Sequence, residues 1–182
     1  MDPAAPFFPR GHVALIGFMC CGKSTVGRLL APRLGLPFRD LDRVIEERVG
    51  PLTPFFQREG EEAFRSIERE VLSELLSGPP VVLSTGGGTP MSFDNMERLR
   101  AGSITVWLDV PLDDLMPRVI RAGGDRPLLF GLKDDALHAR VRELLEQREG
   151  TYAQADIIVQ AVASPAVVAE HIVRALQVAQ SR

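Results

Sequence analysis

One segment near the amino terminus, residues 17–24, constrains the fold of this chain more than any other feature. Its sequence, GFMCCGKS, fits the pattern G-x-x-x-x-G-K-[ST] of a phosphate-binding loop. In such a loop, backbone N–H groups face phosphate oxygens, glycines leave room for that approach, and the lysine reaches the β- and γ-phosphates. The pattern predicts Mg²⁺ binding by Ser24 and nucleotide binding by Gly17, Cys20, Cys21, Gly22, Lys23, Ser24 and Thr25.

The residues on either side of the loop support this interpretation. The apolar run at residues 12–16 predicts a strand, and residues 24–34 predict a helix that ends at Gly35. A phosphate-binding loop requires a strand, a loop and a helix in this order. The alternative is an ordinary glycine-containing turn between a strand and a helix.

The composition favours one globular α/β domain over residues 12–182. The chain has 182 residues, of which 45% are hydrophobic, so it can bury a substantial core. Residues 1–11 contain three prolines and no periodicity, which predicts a flexible amino-terminal arm. No apolar run reaches the roughly 18 residues of a membrane span. The net charge of −3 gives no general attraction to nucleic acid. We therefore expect neither nucleic acid nor a membrane as a partner.

Both cysteines of the chain, Cys20 and Cys21, lie within the phosphate-binding loop. A structural disulfide is implausible there, which indicates a reducing compartment and thiols that are sensitive to oxidation. The amino terminus also lacks the basic and then apolar order of a signal peptide. We therefore expect a cytoplasmic protein.

Two carboxylates follow the second predicted strand, residues 37–40. Asp40 and Asp42 are separated by one residue and would point to the same side if the strand continued. Open α/β sheets place their sites at the carboxyl ends of strands, so this position brings both carboxylates beside the phosphate-binding loop. The alternative is a solvated acidic turn or a helix cap, because a helical pattern begins directly after Asp42.

An apolar turn and a long helix come next in the chain. Residues 52–57 are apolar and aromatic and predict a turn, whereas residues 61–76 predict a helix. Arg65 lies beside the apolar stripe of this helix. A solvated surface position is the alternative for this arginine, as for most helical arginines.

Three successive glycines follow a buried strand predicted at residues 81–85. Gly86, Gly87 and Gly88 cost backbone entropy and bury no side chain, so they are unsuited to a packed core. They suit the close approach of a ligand to the main chain at the carboxyl end of the strand. A flexible turn is the alternative.

The rest of the chain alternates between helices and strands around one irregular segment. Helices are predicted at residues 92–100, 112–121, 134–152 and 165–178, and strands at 103–109 and 156–159. Glycines flank the irregular segment, where Arg126 stands among a few apolar residues. This composition suits a mobile lid over phosphates at about residues 122–135, and a plain surface arginine is the alternative.

Six motifs in this sequence together closely resemble those of shikimate kinase. They are the phosphate-binding loop, DLD at 40–42, GEEAFR at 60–65, STGGG at 84–88, RPLL at 126–129, and Arg148 before Tyr152. The resemblance covers about residues 12–175. It implies a three-layer α/β/α P-loop kinase fold with five parallel strands in the order 2-3-1-4-5 and a mobile lid. It also implies transfer of the ATP γ-phosphate to the 3-hydroxyl of shikimate.

The resemblance implies roles for the residues at matching positions. Lys23, Asp42 and Arg126 would be catalytic, with Asp42 binding the reacting hydroxyls and taking the proton. Ser24 and Asp40 would hold Mg²⁺, and Arg121 would join Arg126 in contacting ATP. Shikimate itself would be bound by Asp42, Phe56, Phe64, Arg65, Gly86, Gly87, Gly88 and Arg148.

Two departures and two rival functions accompany this prediction. Cys20 occupies a loop position where the family more often has glycine, and residues 161–165 offer no obvious polar contact to a base. One rival is a related small-molecule kinase, for gluconate or a nucleoside monophosphate, against which Arg65 and Arg148 argue. The other is a catalytically silent shikimate-binding regulator, against which Lys23 argues. We expect a monomer that acts on a small-molecule substrate.

Overall fold

The computed structural model describes residues 11–123 and 127–180. Within these residues, five parallel strands form one sheet in the order β2-β3-β1-β4-β5. The strands are β1 His12–Ile16, β2 Phe38–Asp40, β3 Val82–Ser84, β4 Ser103–Asp109 and β5 Ile157–Gln160. The predicted strand order of a P-loop kinase fold is therefore confirmed.

Helices connect the strands and flank the sheet. They are α1 Lys23–Leu34, α2 Leu41–Val49, α3 Leu52–Ser77, α4 Asn95–Gly102, α5 Leu112–Ala122, α6 Asp134–Tyr152 and α7 Pro165–Gln180. Helix α1 packs against α7, and α3 packs against α2 and α4. Among the described helices, none is long and apolar enough to cross a membrane.

Some predictions fall outside the described residues. They are the amino-terminal arm apart from Gly11, and residues 124–126 near the start of the lid segment, which include the proposed lid arginine Arg126. On the carboxyl-terminal side of that gap, a short 3-10 helix spans Pro127–Leu129 and leads towards α6.

The turn predicted at residues 52–57 is wrong, because α3 begins at Leu52. Gly60 interrupts this helix with φ 85°, a value outside the helical region, and so separates its first turns from the predicted helix at residues 61–76. Pro54 is tolerated because it lies in the first turn, where its missing N–H has no helical partner. Phe55 is buried in the core. Tertiary burial therefore stabilises helical turns that the local pattern does not indicate.

The strand predicted at residues 37–40 is present as β2, but it does not continue through Asp42. Strand β2 ends at Asp40, and α2 begins at Leu41, so Asp42 lies in the first turn of a helix. Strand alternation therefore does not align the two carboxylates. They still come together because the end of β2 and the start of α2 meet at the same edge of the sheet.

The sheet positions the site through its central strand. All five residues of β1 are buried, as expected for a parallel strand with helices on both faces. On the neighbouring strands, Asp40 is in register with Ser84. The phosphate-binding loop after β1, the carboxylate ending β2 and the glycines after β3 therefore share the carboxyl edge of the sheet, where such folds bind ligands.

Candidate active site

The phosphate-binding loop adopts backbone conformations that its glycines permit. Gly17 has φ 136° and Gly22 has φ 102°, and side chains rarely tolerate either value. A methyl group on Gly17 would also lie 2.8 Å from the carbonyl oxygen of Leu108. Cys20 has φ 63°, so a residue with a side chain occupies the left-handed region that favours glycine. This chain therefore accepts a β-carbon in the loop.

Lys23 lies inside the loop that it follows. Its ammonium donates hydrogen bonds of 2.8 Å to the carbonyl oxygens of Gly17 and Phe18, and it lies 3.6 Å from the Cys21 sulfur. The lysine is buried. Its positive charge is therefore held where a phosphate-binding loop places bound phosphates.

Oxygen atoms from the start of α1 and from the ends of β2 and β3 meet next to Lys23 in the chain. The Ser24 hydroxyl donates a 2.5 Å hydrogen bond to Asp40 Oδ2 and lies 3.2 Å from the Ser84 hydroxyl. Thr25 follows on the exposed side of α1 and also lines the cleft. The described residues contain no cluster of three or more His, Cys, Asp or Glu side chains that could hold a metal by themselves.

Asp42 lies among negative charges. Burial and the neighbouring carboxylates of Asp40 and Glu68 raise its pKa from the ordinary 3.8 to about 6, and Lys23 opposes this shift. A methyl group on Gly86 would lie 3.2 Å from a carboxylate oxygen of Asp42 and 3.2 Å from one of Glu68. Gly86 therefore leaves room for two carboxylates, and one of them has the pKa of a group that can accept a proton near neutral pH.

Arg65 is held by an ion pair that the sequence analysis missed. Its guanidinium contacts Glu68 at 2.9 Å and Glu61 at 3.3 Å. Glu68 is buried and also accepts a 2.6 Å hydrogen bond from the Thr89 hydroxyl. The spacing of three residues between Arg65 and Glu68 on one helix was the available signal. A surface pair was the natural interpretation, because most helical carboxylates are solvated.

Arg148 reaches the same cleft from α6. Its guanidinium carbon lies 5.4 Å from the centre of the Phe18 ring. The side chain is buried, and in the described part of the chain its Nη1 atom has no hydrogen-bond partner. A buried guanidinium nitrogen without an acceptor is costly, so it marks a position that an anionic ligand could occupy.

Aromatic rings and glycines form the wall between the two arginines. The Phe56 and Phe64 rings lie 5.7 Å apart and are tilted by 54°. A methyl group on Gly88 would lie 2.7 Å from a guanidinium nitrogen of Arg65, and one on Gly87 would lie 2.9 Å from the backbone nitrogen of Met19. Gly87 therefore requires glycine because the backbone of the phosphate-binding loop packs directly against it, whereas a side chain at Gly88 would displace the Arg65 guanidinium.

A single cleft of about 1030 Å³ brings most of the predicted site residues together. Those that line it are Cys20, Gly22, Lys23, Ser24, Thr25, Asp40, Asp42, Phe56, Phe64, Arg65, Gly86, Gly87, Gly88, Arg121 and Arg148. Gly17 and Cys21 are buried within the loop and do not line this space. The position of Arg126 lies outside the described residues.

The cleft also contains Arg118, which the sequence analysis did not identify. This α5 residue donates hydrogen bonds to the carbonyl oxygens of Cys21 at 3.3 Å and Ala161 at 3.1 Å. It therefore connects the phosphate-binding loop with the segment after β5. No local pattern could reveal this role, because its two partners are 97 and 43 residues away.

Comparisons with known proteins agree with this arrangement. The sequence model of the shikimate kinase family matches residues 19–177. A shikimate kinase from Gloeobacter violaceus is 45% identical over 166 residues, which cover 89% of this chain and 90% of the relative. The crystal structure of shikimate kinase from Bacteroides thetaiotaomicron is 36% identical with a TM-score of 0.86, over 92% of this chain and 98% of that one.

A structure of Acinetobacter baumannii shikimate kinase in complex with shikimate is 33% identical with a TM-score of 0.87. The match covers 94% of this chain and 96% of that one. Family match, sequence identity and fold agree over nearly the whole length. Each of the six motifs that carried the resemblance also contributes at least one described residue to the cleft. The chain therefore belongs to the shikimate kinase family.

Proposed function

We propose that this chain transfers the γ-phosphate of ATP to the 3-hydroxyl of shikimate, which gives shikimate 3-phosphate and ADP. The observation that carries this proposal is that Lys23, Asp42 and Arg148 line one cleft. A phosphate-binding cation, a proton acceptor and a carboxylate-binding cation thus face the same space. Membership of the shikimate kinase family and a solved relative that binds shikimate support this choice of acceptor.

The phosphate-binding loop would hold the phosphates of ATP. Backbone N–H groups at the start of α1 and the positive end of its dipole favour an anion there. Lys23 would exchange its bonds to the carbonyl oxygens of Gly17 and Phe18 for bonds to phosphate oxygens. Arg118 and Arg121 lie along the same cleft and would contact the rest of the nucleotide.

The oxygen atoms of Ser24 and Asp40 fit Mg²⁺. This ion prefers oxygen ligands, and it commonly takes one or two protein ligands together with phosphates and water. The Ser24–Asp40 pair, 2.5 Å apart, supplies one hydroxyl and one carboxylate of that kind. When bound, the ion would neutralise charge on the phosphates. Asp40 and Ser24 would hold it beside the loop.

Arg65 and Arg148 would bind the carboxylate of shikimate. A guanidinium offers two parallel N–H groups that match a carboxylate, and Nη1 of Arg148 is buried without a partner among the described residues. Arg65 is already oriented by Glu68. The Phe56 and Phe64 rings would pack against the ring of the substrate, and the glycine backbone would contact its hydroxyls.

Asp42 would orient the attacking 3-hydroxyl and take its proton. With a pKa of about 6, this carboxylate is ionised at neutral pH, yet it is a stronger base than an ordinary aspartate. Phosphoryl transfer depends mainly on positioning and charge neutralisation, so one oriented carboxylate and the surrounding cations suffice. Arg126 would add a further positive charge when the proposed lid closes.

One assay distinguishes this proposal from its rivals. ADP release from Mg-ATP is measured with shikimate, with gluconate and without acceptor. We expect turnover with shikimate that exceeds both other reactions by at least a hundredfold. Faster turnover with gluconate would favour a sister kinase. Shikimate binding in calorimetry without any turnover would indicate a silent binding protein, and sedimentation of the same sample tests the expected monomer.

A further inference from the structure

The ring of Phe18 is a buried part of the phosphate-binding loop that the proposed chemistry does not use. Only 2% of this residue is exposed, and it does not line the cleft. Its carbonyl oxygen accepts hydrogen bonds from the Lys23 ammonium at 2.8 Å and from the Cys21 N–H group at 3.3 Å. These bonds hold the backbone within the loop. The ring instead contacts Arg148 of α6, whose guanidinium carbon lies 5.4 Å from the ring centre.

The two acceptor arginines are held in different ways. Arg65 lies 5.2 Å from the centre of the Phe64 ring, and Glu61 and Glu68 also pair with it. Arg148 is buried, yet no carboxylate among the described residues forms an ion pair with it. A buried charge without a partner is costly. The guanidinium of Arg148 therefore depends on groups other than carboxylates.

Two neutral groups of the protein contact this guanidinium. One is the hydroxyl of Tyr152, which lies one helical turn after Arg148 and interacts with it. This hydroxyl donates its own hydrogen to the carbonyl oxygen of Gly87 at 2.5 Å. Burial raises the pKa of Tyr152 above its ordinary value, so the hydroxyl stays uncharged at neutral pH. The other group is the ring of Phe18, which presents an electron-rich face to the positive charge.

A ring face supports a ligand-binding arginine without competing with the ligand. The face attracts a cation through the ring quadrupole, and the attraction is strongest where both groups are shielded from water. Phe18 and Arg148 are both less than 10% exposed. A carboxylate in place of the ring would neutralise the guanidinium and occupy its N–H groups. With the ring, Nη1 of Arg148 keeps no partner among the described residues and remains available to an anion.

We propose that Phe18 is a positioning residue for acceptor recognition: its ring face holds the guanidinium of Arg148 in the orientation that binds the carboxylate of the acceptor. This inference rests on the proposed function. Phe18 does not line the cleft, so it acts through Arg148 rather than by touching a substrate. One residue of the nucleotide loop thereby supports the acceptor half of the cleft.

The direction of the expected effect follows from the behaviour of an unsupported guanidinium. A buried charge whose attraction to the ring is weakened turns towards solvent when the site is empty. The acceptor must then bring the side chain back, and its affinity falls by the cost of that ordering. A ring that only filled space would behave differently. A face of the same size but weaker charge would then leave the affinity unchanged.

The test weakens the ring face in steps while keeping its shape. Phenylalanines with one, two or three fluorine atoms on the ring are installed at position 18 of the full chain by amber suppression. Fluorine withdraws electron density from the face and adds little volume. Calorimetry measures the affinities for shikimate and for ATP. We expect shikimate affinity to fall with each fluorine, by about three- to thirtyfold for the trifluorinated ring, and ATP affinity to stay unchanged.

The same series at Phe38 is the matched control. The ring of Phe38 lies 5.1 Å from the guanidinium carbon of Arg28, and Phe38 does not line the cleft. Fluorination there should leave both affinities unchanged. A loss of shikimate affinity at position 38 equal to that at position 18 would overturn the inference, because it would show a general effect of fluorine on the fold.

A double-mutant cycle tests whether the effect passes through Arg148. In Arg148→Ala, the guanidinium is absent, so fluorination of Phe18 should no longer change the remaining shikimate affinity. An equal loss in this background, or an affinity that does not fall across the series in the unchanged background, would overturn the inference. Failure of the unchanged protein to bind shikimate would instead overturn the proposed function.

Discussion

The nucleotide and acceptor halves of the cleft are built in different ways. The nucleotide half consists mainly of residues 17–24, and the bonds of Lys23 to Gly17 and Phe18 span six and five residues. The acceptor half takes its groups from α2, α3, the glycines after β3 and α6. It is held by long-range bonds, such as those of Glu68 to Thr89 and Tyr152 to Gly87.

This difference makes the two halves separable by experiment. The loop takes its shape mainly from its own backbone, although Arg118 of α5 also donates a hydrogen bond to the Cys21 carbonyl oxygen. It should therefore respond more to changes within the loop than to changes in the helices of the acceptor half. A pocket assembled from several elements should lose acceptor affinity when any one of its supports is removed. Apart from Phe18, whose ring contacts Arg148, a change in the nucleotide half should therefore leave shikimate affinity nearly unchanged, and a change to an arginine of the acceptor half should leave ATP affinity nearly unchanged. A variant that weakens binding of both ligands equally would contradict the separation.

The largest effect is expected for Lys23→Ala. Its ammonium would neutralise charge on the transferred phosphoryl group, so we expect kcat to fall by about 10³-fold or more. Circular dichroism should show an intact fold. Arg33→Ala is the control on the same helix, because its exposed side chain does not line the cleft. A folded Lys23→Ala variant with near-normal kcat would remove the loop from the reaction.

Asp42→Asn should lower kcat by about 10²- to 10⁴-fold, because the amide keeps the shape of the side chain but cannot accept a proton. The KM for ATP should change much less. Asp40→Asn is the matched comparison: it should alter the Mg²⁺ dependence and recover at saturating Mg²⁺. If both variants showed the same metal-dependent defect, the division of roles between these carboxylates would be wrong.

The raised pKa of Asp42 predicts a pH dependence. In the unchanged enzyme, kcat/KM should rise with pH through about 6, as the carboxylate loses its proton. The contribution of Asp42 to the free energy of unfolding should instead fall as pH rises. Between pH 3.8 and about 6 the folded state binds more protons at Asp42 than the unfolded state, so its contribution falls as pH rises. Asp42→Asn should therefore be more stable at pH 7 by roughly 1–3 kcal/mol, and the gain should vanish below pH 4.

Arg148→Ala should weaken shikimate binding by about ten- to a hundredfold and leave ATP binding nearly unchanged. Arg65→Ala should do the same, and lysine at either position should rescue only in part. Calorimetry with each ligand measures these effects. Arg140→Ala is the control on α6, because its ion pair with Glu143 is exposed. Unchanged shikimate affinity in both alanine variants would exclude the arginine pair from the acceptor half.

The smallest effect is expected for Cys20→Gly. A residue with a side chain at φ 63° costs about 1–2 kcal/mol, and glycine entropy offsets about 0.5–1 kcal/mol of the gain. We therefore expect a net stabilisation of about 0.5–1 kcal/mol in chemical denaturation. Cys21→Ser is the comparison at the buried neighbour and should not stabilise. A destabilised Cys20→Gly variant would show that the Cys20 side chain contributes contacts that outweigh its backbone strain.

Some parts of the fold and site follow from local patterns, and others do not. The strand, loop and helix around Lys23 were predicted because glycine spacing and apolar runs act over a few residues. The turn at residues 52–57 was wrong because burial of Phe55 stabilises a helix there. Glu68 was missed because its charge indicates a surface position, whereas Arg65 and Thr89 satisfy it in the interior. Burial of a charge depends on partners that are distant in sequence.

The strand order was predictable from the resemblance of the motifs to those of shikimate kinase. The nucleotide loop was predictable from glycines whose backbone angles few other residues adopt. Three features arise only in the folded chain: the raised pKa of Asp42, the hydrogen bond from Tyr152 to Gly87, and the buried Arg148 Nη1 atom, which has no partner among the described residues. The physical reason is the separation along the sequence between the interacting groups. Backbone conformation responds to the residue itself, whereas pKa values, buried charges and peptide orientation depend on groups that folding brings together.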